Sequence, residues 1–205
     1  MRIDIWLFRN GYFESRSRAK LAVKKGLVLV DGRIVKPSYD VKGGERIEVL
    51  EEGKPAGYFK LKEIDRQWNL FEDVKVVLDL GSSAGGFLMY ASEKAGTVIG
   101  IEFSSEFEES LRNVERERNN VRVFIADAFF FDISLLPEID LILCDLTLEP
   151  DSSIKALSRF LPKLRKEGRI LFVSKGKEAK LDGFRVLKVM RAEEKREWYY
   201  LLEMV

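Results

Sequence analysis

Histidine is absent from the 205-residue sequence, and Cys144 is its one cysteine. Without histidine the chain can form neither a Ser-His-Asp nor a Cys-His catalytic group, and it cannot bind a metal through imidazole. A lone cysteine excludes a disulfide or a cysteine zinc cluster within one chain. We therefore expect no metal. Any general base must be lysine, aspartate, glutamate, tyrosine or an assisted water.

Long apolar runs are also missing. No stretch of the sequence approaches the roughly 18–20 apolar residues that span a bilayer. Asp4 and Arg9 interrupt the apolar start of the chain, whereas a secretory signal needs an uncharged apolar core. We expect a cytoplasmic protein that does not bind membranes.

Basic residues are concentrated at the start of the chain. Residues 1–42 hold ten Lys/Arg against four Asp/Glu, although the whole chain is nearly balanced, with 35 against 34. A local basic excess is typical of nucleic-acid binding. A solvated basic helix without that function would give the same count, so the motifs in this region must decide.

Two short helices and a hairpin are predicted for the first fifty residues. Apolar residues recur at helical spacing within residues 3–7 and 19–23, and Gly26 ends the second helix. Asp31-Gly32 between two apolar runs is typical of a type I′ hairpin turn. Residues 46–50 add another strand.

Several motifs follow one another here in an order that resembles the RNA-binding domain of the ribosomal protein S-four type. They are the Ser15-Arg16-Ser17-Arg18 helix start, Gly26, the Val-Asp-Gly-Arg hairpin and the Lys36-Pro37 exit. The resemblance covers residues 1–50 and implies binding of structured RNA, mostly through phosphates and shape. The implied contacts are Arg9, Arg16, Arg18, Lys20, Lys24 and Lys25. A small basic module that binds protein is the alternative.

Residues 51–57 combine charge, glycine and proline without periodicity, which marks them as a linker. Over residues 58–205, short β-rich runs alternate with helical stretches, which predicts an α/β domain with a mostly parallel sheet. The predicted strands are 76–80, 98–101, 121–125, 139–143, 170–173, 184–187 and 198–202. The last two have no helix between them, so the final strand is predicted to be antiparallel.

A glycine-rich turn follows the first of these strands. It lacks the G-x-G-x-x-G pattern of dinucleotide-binding proteins. The string over residues 77–91 instead resembles the glycine-rich motif of class I methyltransferases, which implies a Rossmann-like fold and S-adenosylmethionine as cofactor. The implied cofactor contacts are Asp79, Gly81, Ser82, Ser83, Gly85, Gly86, Phe87, Glu102 and Asp127. Within this set Glu102 would take the ribose hydroxyls and Asp127 would hold the adenine.

Four further residues resemble the Lys-Asp-Lys-Glu tetrad of the FtsJ-like ribose methyltransferases and their TlyA (hemolysin A) branch. They are Lys60, Asp145, Lys175 and Glu197. Asp145 and Lys175 follow parallel strands and Glu197 precedes an antiparallel one, so these three share one edge of the sheet. The resemblance implies methylation of a ribose 2′-hydroxyl in ribosomal RNA. Lys175 is the expected base, because partial burial and a neighbouring cation such as Lys60 favour a neutral amine.

Other functions stay open at this point. The FtsJ-like and TlyA sequences continue Lys-Pro-Gln-Phe-Glu after the fifth strand, where this chain has Lys175-Gly176-Lys177-Glu178. That departure favours a ribosome-assembly factor that binds RNA and cofactor without catalysis. Cys144 would be the nucleophile of a cytosine C5 methyltransferase. A nicotinamide enzyme is disfavoured by the missing G-x-G-x-x-G. The sequence does not name the modified nucleotide, the ribosomal subunit or the oligomeric state.

Overall fold

The computed structural model describes residues 1–10, 12–13, 15–24, 26–50, 54–192 and 196–205. The chain divides into two compact units, Met1–Ala56 and Gly57–Val205. Lys25 and residues 51–53 of the predicted linker lie outside the described residues. No helix in the described part of the chain is long and apolar enough to cross a membrane.

The first unit is a small α+β domain built as the sequence predicts. Its helices are α1 (Ile3–Arg9) and α2 (Arg16–Lys24), and its strands are β1 (Val28–Val30), β2 (Arg33–Ile34) and β3 (Ile47–Val49). The strands form an antiparallel sheet in the order β2-β1-β3. Asp31 and Gly32 both have positive φ, as a type I′ turn requires. The apolar stripes of both helices pack on the sheet around Ile3 and Leu7.

The second unit is centred on a seven-stranded sheet in the order β6-β5-β4-β7-β8-β10-β9. The strands are β4 (Val76–Leu80), β5 (Thr97–Glu102), β6 (Val121–Ile125), β7 (Ile139–Cys144), β8 (Leu164–Lys175), β9 (Phe184–Ala192) and β10 (Glu197–Met204). Strands β4 to β8 pair in parallel, and β10 lies antiparallel between β8 and β9. The predicted mostly parallel fold with an antiparallel last strand is confirmed.

Strand β8 is longer than its predicted range. It starts at Leu164 and pairs there with Ile139 of β7. Its first half contains Arg165, Lys166 and Glu167, whose side chains are exposed. Because these residues carry no apolar signal, the sequence predicts only the buried second half of the strand.

Helices cover both faces of the sheet. They are α3 (Ala56–Trp68), α4 (Gly86–Ser92), α5 (Glu108–Glu117) and α6 (Pro150–Ser158). One apolar core includes α3, α4 and α5, and the other includes α6. Helix α3 begins at Ala56, so the last two residues of the predicted linker are helical.

Candidate active site

The loop after β4 is a tight turn that depends on glycine. Gly81, Ser83 and Gly85 adopt positive φ, at 86°, 47° and 83°. A Cβ on Gly81 would lie 3.2 Å from the Asp145 carbonyl oxygen, and one on Gly85 would lie 2.9 Å from Val114 Cγ2. Glycine meets both the backbone and the space requirements. The glycines therefore let the loop pack closely against its protein neighbours at the carboxyl edge of the sheet, where Ser83 is exposed.

Asp79, near the end of β4, is a buried carboxyl group without a partner. It is fully buried, and neither of its carboxylate oxygens has a hydrogen-bond partner among the described residues. Burial, together with the charges of Asp145 and Glu102, raises the pKa of Asp79 to about 8. Buried polar groups are nearly always hydrogen-bonded. A cationic or hydrogen-bonding group of a ligand at this edge would supply the missing partner.

This raised pKa predicts a pH-dependent stability for the ligand-free protein. The carboxyl group has its ordinary pKa of 3.8 when exposed and one of about 8 when folded. Its stabilising contribution is therefore complete below the lower value and is lost as the pH rises to the higher one. The free energy of unfolding of the original protein should fall by more than about 1 kcal/mol between these two pH values because of Asp79. We expect Asp79→Asn to lack this fall. Urea unfolding at a series of pH values measures the free energy of unfolding of both proteins. The same pH dependence in both would contradict the expectation.

Glu102 and Asp127 lie at the ends of two neighbouring strands, β5 and β6. Glu102 Oε2 accepts from the Ser83 amide at 2.8 Å, and Glu102 Oε1 accepts from the Ser104 amide at 2.8 Å. Asp127 Oδ1 accepts from the Phe129 amide at 2.8 Å. Each carboxylate oxygen has a second lone pair, so both acids can still accept from a ligand. The backbone hydrogen bonds fix the direction in which they do so.

The other predicted cofactor residues face inward. Ser82 is buried and its hydroxyl donates to the Asp79 carbonyl oxygen at 3.3 Å. Phe87 is buried in the core, with its ring centroid 5.9 Å from Lys60 Nζ. Gly86 faces the backbone of α3. These three residues therefore contact the protein interior and hold the loop in place.

Lys60, Asp145, Lys175 and Glu197 converge at the carboxyl edge of the sheet. Lys60 Nζ lies 2.8 Å from Asp145 Oδ2 and 2.9 Å from Glu197 Oε2. Lys175 Nζ lies 2.9 Å from Asp145 Oδ1. Glu197 pairs directly with Lys175 across β10 and β8. Asp145, Lys175 and Glu197 lie at strand ends, and Lys60 lies on α3.

The two lysines are held differently. The side chain of Lys60 is 10% exposed and that of Lys175 is 29% exposed. Lys60 donates a hydrogen bond to Asp145, but Asp145 Oδ1, which faces Lys175, has no hydrogen bond within the described residues. Lys175 also lies 3.3 Å from the Asp145 carbonyl oxygen and 3.3 Å from Thr147 Oγ1. Lys60 is therefore fixed between two carboxylates, whereas Lys175 is more accessible and pairs with one carboxylate.

Tyr199 belongs to the same cluster, although it is not among the site residues predicted from the sequence. Its hydroxyl donates to Glu197 Oε2 at 2.7 Å, and its ring centroid lies 5.3 Å from Lys60 Nζ. Burial and the neighbouring Glu197 carboxylate raise the pKa of Tyr199. The signal is present in the sequence, because residues i and i+2 of a strand face the same side.

Cys144 is not an exposed nucleophile. It is fully buried at the end of β7, and burial raises the pKa of its thiol. A nucleophilic cysteine needs access and a thiolate. The structure therefore gives no support to methylation through a cysteine adduct.

The basic residues of the first unit divide into two groups. Asp4 is fully buried; hydrogen bonds from Arg16 and Arg2 outweigh the effect of burial and lower its pKa. Arg16 Nε lies 2.9 Å from Asp4 Oδ2 and Arg2 Nε 3.1 Å from Asp4 Oδ1, so both arginines are tied to the core. Arg16 remains exposed all the same, as do Arg9 at the end of α1 and Arg18, Lys20 and Lys24 on α2. Arg16 therefore has a structural partner that its helical spacing does not reveal.

The sheet order and the glycine loop define a class I methyltransferase fold. The family model described as FtsJ-like methyltransferase matches residues 56–204. The chain belongs to this family. A second model, described as S4 domain, matches residues 1–47. Among the described residues there is no group of His, Cys, Asp and Glu that could hold a metal ion.

Named relatives agree with the family. Over 91 residues the chain is 34% identical to Hemolysin A of Brachyspira hyodysenteriae, a match over 42% of this chain and 38% of that protein. It is 33% identical to Ribosomal RNA large subunit methyltransferase E of Bdellovibrio bacteriovorus, over 43% of this chain and 46% of that protein. The chain thus spans less than half of these two relatives.

Solved structures show the same fold. Aeropyrum pernix fibrillarin with natively bound S-adenosyl-L-methionine gives a TM-score of 0.61 at 17% identity, over 86% of this chain and 88% of that one. An rRNA methylase from Streptococcus thermophilus gives 0.56 at 12% identity, over 70% of this chain and 95% of that one.

Proposed function

We propose that this protein transfers a methyl group from S-adenosylmethionine to a ribose 2′-hydroxyl of ribosomal RNA. The observation that carries the proposal is the cluster of Lys60, Asp145, Lys175 and Glu197, which are linked in a chain by three ion pairs with N–O distances of 2.8, 2.9 and 2.9 Å. Its members come from distant parts of the sequence and from four different elements or loops. The neighbouring glycine loop supplies a cofactor site at the same edge of the sheet.

The residues around the glycine loop fit S-adenosylmethionine. The cofactor is cationic and carries an ammonium group, and Asp79 offers a buried carboxyl group that lacks a partner. Glu102 has two carboxylate oxygens, each with one remaining lone pair, for the two ribose hydroxyls. Asp127, two residues after the neighbouring strand β6, is placed for the adenine. When bound, the cofactor supplies an activated methyl group on a sulfonium.

In the proposed mechanism Lys175 takes the proton from the 2′-hydroxyl. It does so as a neutral amine. Its greater exposure and its single carboxylate partner favour it for this role over Lys60, which lies between two carboxylates. Asp145 keeps Lys60 as an ion-pair partner when Lys175 is neutral, so the carboxylate is never left alone. Glu197 and Tyr199 hold Lys60 from the other side. The proton ends on Lys175, and the 2′-oxygen gains the methyl group. The bond from that methyl carbon to the sulfonium sulfur would break, and a neutral thioether would leave with the electron pair.

The assay that tests the proposal follows radioactive methyl transfer from S-adenosylmethionine to ribosomal RNA. A 2′-O-methyl group blocks the hydroxyl that attacks the neighbouring phosphodiester, so the modified linkage survives alkaline hydrolysis. We expect labelled dinucleotides after hydrolysis. A label recovered in single nucleotides would place the methyl group on a base and contradict ribose methylation.

We assign RNA binding to residues 1–50, the connection to residues 51–57 and catalysis to residues 58–205. The exposed cations of the first unit and its match to the S4 domain model support this division. Ribosomal RNA is the proposed partner, because a ribosomal RNA methyltransferase is among the relatives. A cytoplasmic location stays a prediction of this function.

Lys20 and Lys24 on α2 are the best candidates for phosphate contacts. We expect Lys20→Gln with Lys24→Gln to weaken RNA binding and to reduce the slope of log affinity against log salt by about 0.7 per lost contact. Cofactor affinity should not change. Lys36→Gln with Lys42→Gln, which changes two cations of the same unit outside the helix, is the matched control. Equal RNA affinity for both double variants would assign the basic face of α2 to another role.

A ribosome-assembly factor without catalysis is the second candidate, and the segment Lys175–Glu178 favours it because it departs from the family sequence. Both lysines and both carboxylates of the cluster are nevertheless present and in contact. A factor that only binds RNA and cofactor does not need a lysine general base paired with a carboxylate. The test offers the protein RNA isolated from several stages of ribosome assembly. Binding of the cofactor without methyl transfer to any of these RNAs would favour the second candidate.

A further inference from the structure

Gly86, the first residue of α4, lies close against the backbone of α3. A Cβ on Gly86 would lie 2.6 Å from the Tyr58 amide nitrogen, 2.8 Å from Gly57 Cα and 2.9 Å from the Gly57 carbonyl carbon. Ordinary carbon contacts need about 3.5–4.0 Å. All three atoms belong to the backbone, so no side chain can rotate to make room. Any residue larger than glycine at position 86 must push the two helices apart.

The backbone conformation of Gly86 does not itself require glycine. Gly86 is absent from the residues with positive φ, unlike Gly81 and Gly85 in the same motif. An alanine would therefore suit the helix start. The demand for glycine at position 86 comes from the contact with α3 alone.

Two hydrogen bonds hold α3 against α4 and the residue that caps its C-terminus, and both partners on that side follow Gly86 in the chain. The Tyr58 hydroxyl donates to Glu93 Oε2 at 2.9 Å, and the Tyr90 hydroxyl donates to Asp65 Oδ2 at 2.7 Å. Asp65 also accepts from the Leu70 amide at 2.8 Å, which ties the end of α3 into this network. With the rest of α3 held in this way, the spacing at Gly86 decides where the first turn of α3 lies.

Lys60 begins the next turn of α3, directly after this first turn. Lys60 follows Tyr58 by two residues, and its ammonium group lies 2.8 Å from Asp145 and 2.9 Å from Glu197. These ion pairs connect α3 to the ends of β7 and β10. A small displacement of the first turn therefore lengthens both.

We propose that Gly86 is a positioning residue, which sets the spacing between α4 and α3 so that Lys60 reaches Asp145 and Glu197. This differs from the role in cofactor binding that the sequence motif implies for Gly86. The inference rests on the proposed function only insofar as Lys60 takes part in catalysis. Gly86 then differs from Gly85, which has a positive φ, and from Gly57, where a Cβ would meet only ordinary contacts.

The experiment compares Gly86→Ala with Gly57→Ala and Gly85→Ala. A Cβ on Gly57 would meet its nearest atoms at 3.4, 3.5 and 3.6 Å, which is ordinary contact, so Gly57→Ala is the matched control on the opposite side. Gly85→Ala combines a φ of 83° with a contact of 2.9 Å to Val114, so it should disturb the cofactor loop itself. Three quantities are measured: the affinity for S-adenosylmethionine by calorimetry, the methyl-transfer rate with ribosomal RNA, and the acetylation of Lys60 by acetic anhydride, read by mass spectrometry.

For Gly86→Ala we expect the methyl-transfer rate to fall about 10–100-fold while cofactor affinity stays within about twofold, because misplacement of a catalytic group affects the chemical step. Lys60 should be acetylated faster than in the original protein, whereas the exposed Lys155 on α6 should react as before. Gly57→Ala should match the original protein in all three measurements. Gly85→Ala should lose cofactor affinity.

The acetylation measurement needs neither RNA nor activity, so it separates this inference from the proposed function. Faster acetylation of Lys60 in Gly86→Ala supports the spacing role even if no methyl transfer is found. Unchanged acetylation and unchanged rate, or a rate that falls in proportion to cofactor affinity, would overturn it. If Gly86→Ala does not fold, Gly57→Val opens the same contact from the α3 side, and the same expected and contradicting results apply to it.

Discussion

Replacing Lys175 with alanine is expected to lower the rate of methyl transfer to ribosomal RNA about 10²–10⁴-fold, the usual effect of removing a general base. The 2′-hydroxyl is far too weak an acid to ionise unaided at neutral pH, and Lys175 is the more accessible of the two clustered lysines. Affinity for S-adenosylmethionine should not change, because Asp79, Glu102 and Asp127 lie at other strand ends. Single-turnover rates and calorimetry measure the two quantities separately.

Lys177→Ala is the matched control for this variant. Lys177 lies two residues further along, is 57% exposed and pairs with Glu149 at 3.3 Å. Its removal takes away the same charge from the same segment without touching the cluster. A comparable loss of rate in Lys177→Ala would show that the segment binds RNA through its charge and that Lys175 has no special role.

Combining Lys175→Ala with Asp145→Ala tests whether the cluster acts as a unit. Asp145 lies between the two lysines, 2.8 Å from Lys60 and 2.9 Å from Lys175. Residues that act together lose activity less than additively. We expect the double variant to be hardly slower than Lys175→Ala alone. Fully additive losses, or activity that survives without Lys175, would show that the base has been assigned to the wrong residue.

The sequence predicts the part of the site that follows from strand order. Asp145, Lys175 and Glu197 each adjoin a recognisable apolar strand, and the rule that ligands bind at the carboxyl edge brings them together. Lys60 is different, because it lies on a helix whose packing no local pattern reveals. Only the resemblance to a family connects Lys60 with the other three. Tyr199 was missed because its aromatic ring fits a core strand equally well.

Buried polar partners account for the remaining differences. The spacing of Arg16, Lys20 and Lys24 predicts one basic face on α2, and spacing carries no information about Asp4 on α1. The structure buries Asp4 completely and ties Arg16 to it at 2.9 Å. Likewise, the motif around Gly86 marks a cofactor loop, but the contact that demands glycine there comes from α3. Both facts depend on how separate helices pack, which a single sequence does not encode locally.

Replacing Glu102 with alanine is expected to weaken binding of S-adenosylmethionine at least about 100-fold. Hydrogen bonds to a charged group contribute about 1.5–3 kcal/mol each, and Glu102 would accept two from the ribose of the cofactor. The variant also loses the two hydrogen bonds from the Ser83 and Ser104 amides, which hold the glycine loop and the segment after β5. Calorimetry with the purified protein measures the change in affinity.

The matched control for this measurement is Glu106→Ala, which removes an exposed carboxylate four residues further along. Long-range attraction of the cationic cofactor would be reduced in both variants, whereas the contact with ribose would be lost only without Glu102. Glu102→Gln keeps one acceptor oxygen but turns an NH₂ group towards a backbone amide, so its affinity should lie between those of the original protein and Glu102→Ala. If Glu106→Ala weakens binding as much as Glu102→Ala, the effect is one of charge and the ribose lies elsewhere. Selective binding of a nicotinamide dinucleotide instead would contradict the cofactor assignment itself.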